Sequence, residues 1–149
     1  MPGETIKSMV PITFLYKNRV GQALETYIGG LKEKKILGIR CPECEKVYVP
    51  PRTVCGCCHK KLDLYVEVDQ RGTLENFTVA HVTIEGGEIK DAPEPYVIGM
   101  IKLEGADSLL SAVVKGLPPE KVKMGAKVKA VWKEPTENNY GDLAYFEIV

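Results

Sequence analysis

Net charge and histidine are both scarce in this sequence. Twenty basic residues meet twenty acidic ones over 149 positions, so the chain is formally neutral. Nucleic-acid binding draws much of its affinity from cations that neutralise phosphates, and composition gives no push toward it. Long hydrophobic runs are missing too, and none approaches the roughly 20 residues of a membrane span. The stretch Met1-Pro2-Gly3-Glu4-Thr5-Ile6-Lys7 lacks the apolar core of a signal peptide, so a cytoplasmic location is expected. Only two histidines, His59 and His81, are present for acid–base chemistry. What remains is ordinary: 44% hydrophobic residues suffice for a packed core, and 27% charged residues make a normal surface.

Cysteine is what stands out. Cys41-Pro42-Glu43-Cys44 and Cys55-Gly56-Cys57-Cys58 form two C-x-x-C pairs separated by ten residues. Two knuckles of this kind supply four thiolates to one tetrahedral zinc. In a reducing compartment, clustered cysteines are metal ligands more often than disulfides, although C-x-x-C also occurs as a redox dithiol. The expected ligands are Cys41, Cys44, Cys55 and Cys58. Cys57 is a fifth thiol, and using it instead of Cys58 would shorten the second knuckle to C-x-C. His59 is a reserve ligand or a bystander. Four thiolates close the coordination shell, so the zinc is expected to be structural.

The rest of the chain reads mainly as strands. Met9–Tyr16 is a short apolar run, expected to lie as an extended arm over its own domain or over a partner. Asn18 is a plausible N-cap for a helix whose apolar stripe is Val20, Leu24, Tyr27, Ile28 and Leu31. Gly29 and Gly30 either end that helix or admit another backbone. Strands are expected at 35–40 and 47–52 around the first knuckle, and from Leu62 onward the period changes to two. Leu64–Val68 runs toward Gly72, read as a bend, and on into Leu74–Val82. Further strands follow at 96–101, 109–114, 127–133 and around Ala144, Phe146 and Ile148, with a turn of helix within 116–123. Five strands with a short helix after the third is the order of an OB barrel. Residues 85–95 read as a long loop that would line its binding face. The expected fold is mainly β: an N-terminal arm and helix (1–36), a rubredoxin-like four-cysteine zinc ribbon (37–62) and a C-terminal OB-fold barrel (63–149).

This succession resembles the thiolase-associated zinc-ribbon/OB-fold family linked to acyl-CoA metabolism. The residues that carry the resemblance are Leu37–Cys44, Val47–Arg52 before Cys55, Gly72–Val79, Pro95–Ile98, and Val114–Gly116 through Gly125–Val128. Cys57 departs from the family pattern. The resemblance implies a non-catalytic subunit in a hetero-oligomer with a thiolase or a hydroxymethylglutaryl-CoA-synthase-like enzyme, sharing its CoA or acyl-CoA site. The bacterial members that serve a benzoylsuccinyl-CoA-type thiolase in aromatic degradation look most similar at the N-terminus. Arg40, Arg52, Lys60 and Lys61 are the candidate contacts for CoA phosphates, or simply local compensation for the charge of a zinc tetrathiolate.

The sequence admits two other readings. Catalysis by the chain itself would need a nucleophile and a base, and Cys57 with His59 is a poor pair because neighbours in a knuckle rarely align. A single-stranded nucleic-acid module would use Tyr65, Phe77, Tyr96 and Trp132 for stacking and Lys127, Lys129 and Lys133 for phosphates. Charge neutrality and the acidic 85–94 stretch oppose it.

Overall fold

The computed structural model describes residues 19–85 and 88–149. The arm at Met9–Tyr16 and the Asn18 cap lie outside the described residues. A helix, α1, runs from Gln22 to Lys32 after Gly21, which takes a φ of 84°. Tyr27 and Leu31 are fully buried in the main core, Leu24 packs against it, and Val20 stays exposed. The helix therefore turns Leu24, Tyr27 and Leu31 of its apolar stripe to the protein's own core. It continues through both glycines, and Gly30 serves close approach: a Cβ there would sit 2.8 Å from the Leu37 side chain.

The ribbon is built on a three-stranded sheet. β1 (Ile36–Arg40) lies between β2 (Val47–Tyr48) and β3 (Leu64–Val68), both antiparallel to it. β2 is shorter than expected because Pro50 and Pro51 follow, and proline has no N–H for a ladder. β3 corrects the reading of Leu64–Val68 as the start of a barrel strand. It pairs with β1 along its whole length, from Ile36↔Val68 to Arg40↔Leu64. Periodicity identifies a strand but not its partner. The chain passes into the barrel at Gln70, and Gly72 is no bend: its Cβ would lie 2.5 Å from the Lys102 carbonyl oxygen, so glycine admits the neighbouring strand.

The barrel is closed in the order β4 (Arg71–Glu85), β5 (Glu88–Leu103), β6 (Leu110–Lys115), β8 (Leu143–Ile148), β7 (Lys127–Trp132). β7 returns to β4 through Arg71↔Lys129 and Thr73↔Lys127, and β6 meets β8 in parallel. A 3-10 turn at Pro119–Lys121 follows the third barrel strand, as the OB order requires. Leu74, Ile101, Val128 and Phe146 fill the interior. Residues 88–95, read from the sequence as loop, belong to β5 and extend the β4–β5 hairpin.

Ribbon, helix and barrel share one core. Tyr27, Ile36, Val47 and Val68 join the same buried cluster as Leu74, Leu103 and Phe146. Polar contacts fix the seam. The Asp107 N–H donates to the Val47 carbonyl at 2.8 Å, and Val47 N–H donates to the Asp107 carboxylate at 2.8 Å. Ser108 Oγ accepts from Val49 N–H at 2.7 Å and donates to the Val49 carbonyl at 3.0 Å. On the other side, Gln70 donates to the Lys34 carbonyl at 2.8 Å and accepts from Trp132 Nε1 at 2.9 Å. The Tyr27 ring lies 5.7 Å from Tyr140, and Lys34 pairs with Glu134.

Candidate metal centre

The two knuckles are built alike, residue for residue. Cys41 N–H bonds the Lys46 carbonyl and Glu45 N–H bonds the Cys41 carbonyl; Cys55 N–H bonds the Lys60 carbonyl and His59 N–H bonds the Cys55 carbonyl. Glu45 and His59, each four positions after the first cysteine, both sit in the left-handed region, with φ of 59° and 58°. This correspondence matches Cys41 to Cys55 and Cys44 to Cys58, so the second knuckle is C-x-x-C. Cys57 stands where Glu43 stands and its side chain is exposed. Its backbone N–H, not its thiol, serves the site by pointing at Cys55 Sγ over 3.4 Å. His59 is exposed, and its place in the repeat is that of Glu45, not of a ligand.

The Sγ atoms of Cys41, Cys44, Cys55 and Cys58 all lie within 4.8 Å of one another. The pairs Cys41–Cys58 and Cys44–Cys55 approach to 3.4 and 3.5 Å. Zinc–sulfur bonds of about 2.3 Å place tetrahedral ligands roughly 3.8 Å apart, so the set fits one zinc. A disulfide would need about 2.05 Å.

The electrostatics of the cluster point the same way. The Cys58 N–H, then the Tyr48 hydroxyl at 3.2 Å, draw the Cys55 thiol down to about 5. The Cys44 N–H lowers Cys41 in the same manner. At Cys44 the Lys46 N–H pulls downward, but burial and the neighbouring Cys55 and Cys41 sulfurs push it up to about 12. Cys58 is raised too: the Lys60 N–H is outweighed by the Cys41 sulfur and by burial. Two thiols are thus drawn below the ordinary value while burial and the neighbouring sulfurs hold the other two above it, a conflict within one cluster. A dication among them removes that conflict.

The basic residues sit around the cluster on short local contacts. Arg40 Nε donates to the Glu45 carbonyl at 3.4 Å, and the Arg52 guanidinium lies 4.7 Å over the Tyr48 ring. Lys60 pairs with Glu43 at 3.5 Å, and Lys61 is exposed beside the Val54↔Lys61 bridge. A groove of about 430 Å³ beside the cluster is lined by Lys46, Tyr48, Gly56, Cys57 and Asp107, and by none of those four. Sequence reading missed Tyr48 as the partner of Cys55 and the Asp107–Ser108 turn as the ribbon's clasp. Neither carries a local signal: the Asp107 and Ser108 bonds join residues 60 and 59 positions apart in the sequence, and the Tyr48 bond depends on side-chain aim.

The aromatics weighed as a stacking platform are dispersed. Tyr65 packs on the ribbon cluster, Phe77 and Trp132 pack on the main core, and the Tyr96 hydroxyl donates to the Val82 carbonyl at 3.1 Å. Lys133 is paired with Glu137 at 2.7 Å. Among the described residues, no helix is long and apolar enough to cross a membrane.

Fold and site together define a zinc ribbon of the four-cysteine structural type fused to an OB barrel. Residues 29–63 match the ChsH2 rubredoxin-like zinc ribbon domain, and residues 65–133 match the ChsH2 C-terminal OB-fold domain. The chain is 33% identical over 104 residues to a DUF35 domain-containing scaffold protein of Methanocaldococcus jannaschii, covering 69% of this chain and 71% of that one. A scaffold protein of the same description from Methanothermobacter thermautotrophicus is 26% identical over 103 residues, covering 68% and 74%. The chain belongs to the DUF35 family. A DUF35 protein of unknown function from Sulfolobus solfataricus superposes with a TM-score of 0.62 at 27% identity, over 86% of this chain and 84% of that one. The Ltp2-ChsH2(DUF35) aldolase shares the fold at a TM-score of 0.66 and 21% identity, over 89% and 98%.

Proposed function

We propose that this chain is a non-catalytic, zinc-stabilised subunit that docks on a thiolase-like or hydroxymethylglutaryl-CoA-synthase-like enzyme. In that role it helps form the CoA or acyl-CoA site and supports cleavage or formation of a β-ketoacyl-CoA. The observation that carries this reading is the closed four-thiol cluster, set in a small core of its own beside the main core that ribbon, helix and barrel share. Four sulfurs fill a tetrahedral zinc and leave no position for water or substrate, so the site organises the fold and does not perform chemistry. Relatives described as scaffold proteins and a fold shared with an Ltp2-ChsH2(DUF35) aldolase agree with a supporting role beside an enzyme.

Within this reading, Cys41, Cys44, Cys55 and Cys58 hold the zinc, which supplies a fixed point in place of a larger hydrophobic core. The N–H groups of the knuckles and the Tyr48 hydroxyl hold the sulfurs in their ionised form. Arg40, Arg52, Lys60 and Lys61 contribute the contacts with CoA phosphates. The N-terminal arm and helix, the ribbon with its third strand reaching Val68, and the barrel from Arg71 act as one subunit. The acid, base and nucleophile belong to the partner.

Co-expression with the thiolase-like subunit of the same organism, followed by size-exclusion chromatography and a thiolysis assay, tests the proposal. A stable hetero-oligomer with activity that neither part shows alone is expected. Two separate peaks and unchanged thiolase activity would sink it. The single-stranded nucleic-acid reading finds no specific support in this geometry.

A further inference from the structure

The β4–β5 hairpin is longer than the barrel needs. β4 and β5 have 15 and 16 residues, whereas β6, β7 and β8 have six each. β6 accompanies β5 only from Val97 to Ile101, and β7 accompanies β4 only from Arg71 to Thr73. Beyond Ala80↔Tyr96, each of these two strands has only the other as its sheet neighbour among the described residues. Pairing is interrupted there, with residues 92–95 set against His81 alone, and resumes from Val82↔Asp91 to Glu85↔Glu88. The five β4 residues beyond Ala80, at about 3.3 Å each, carry this arm roughly 17 Å past the barrel.

A bare two-stranded ribbon is marginal in water, and its unpaired edges are templates for another chain. This one also exposes apolar surface: Val82 is 46% and Ile89 72% exposed. The register, Val82↔Asp91 and Ile84↔Ile89, puts both positions on the same face. The arm is acidic, with Glu85, Glu88, Asp91 and Glu94 against Lys90. Pro93 and Pro95 stand at its base, where a groove of about 700 Å³ opens toward Leu117 and Pro118.

We infer that this arm is the element that grips the partner enzyme, entering an apolar groove or strand edge rimmed by lysine and arginine. The occupant follows from complementarity: an acidic ribbon with an apolar face selects a basic rim around an apolar floor. The inference rests on the docking reading above and adds where docking occurs and what chemistry recognises it.

Two variants test it, V82E/I89E on the apolar face and D91K/E94K on the charge. All four residues lie beyond the barrel pairing, so melting temperature and zinc content should match the unaltered chain. Titration of the purified thiolase-like subunit by calorimetry should show V82E/I89E binding at least about tenfold more weakly. D91K/E94K should weaken binding too and flatten its dependence on salt. If both variants stay folded and bind like the unaltered chain, the arm is not the grip, while docking itself stands. If the unaltered chain does not bind, docking fails and this inference with it.

Discussion

The ribbon and the barrel solve one problem in two ways. Each is a small β unit with edges to close and little material for a core. The barrel closes its sheet on itself and fills the middle with Leu74, Ile101, Val128 and Phe146. The ribbon cannot close: β2 has two residues, and its own cluster is Ile39, Cys41, Tyr48, Cys55 and Leu62, of which two are thiol-bearing. Where the barrel uses hydrocarbon, the ribbon uses sulfur and a cation. Stability in the barrel is therefore spread over many contacts, whereas in the ribbon it is concentrated at one point.

The sharpest way to break this comparison is at that point. Cys41→Ser, or dialysis of the protein against a strong chelator, should remove about one zinc per chain and unfold the ribbon; metal analysis and loss of slowly exchanging amides between 36 and 62 would report it. Slowly exchanging amides in β5, β6 and β8 should persist. Equal loss in both regions would mean that the shared core, not the zinc, governs the ribbon. Next in size is Phe146→Ala, where removing a fully buried ring should cost about 3–5 kcal/mol in denaturant unfolding while zinc content stays at one. Asp107→Ala acts on the seam. It removes one side-chain acceptor of the ribbon's edge and should cost about 0.5–1.5 kcal/mol, with the amides of Val47 and Val49 losing protection first. The smallest effect belongs to Cys57→Ser. The repeat of the two knuckles makes this thiol a bystander, so zinc stoichiometry and melting temperature should not move; a lost zinc would overturn the ligand assignment.

Much of this arrangement was legible in the sequence because its causes are local. Two knuckles must each turn tightly around one ion, and that fixes the spacing of Cys41, Cys44, Cys55 and Cys58. Period-two stretches and the turn near Pro119 give the barrel's strand order for the same reason. Pairing across the fold is not local, and there the reading failed. Leu64–Val68 alternates as any strand does, and nothing in it says that β1 rather than the barrel will claim it. Residues 85–95 look like a loop because they hold four acids and two prolines, yet a Gly-Gly pair in the sequence is itself a hairpin signal, and Glu85 pairs with Glu88. Gly72 and Gly30 each carry a glycine for close approach, visible only once the strand that approaches is known.

The turn at Asp107–Ser108 has a consequence for the cell as well as for the fold. β2 is an edge strand, and an edge with free N–H and C=O groups invites any stray β segment to add itself. Here the outer groups of Val47 and Val49 are already engaged, donor and acceptor alike, by a loop that covers them. The ribbon's most sticky border is thus sealed before it meets another molecule. A chain that lost this seal would betray itself first by clumping on storage at high concentration.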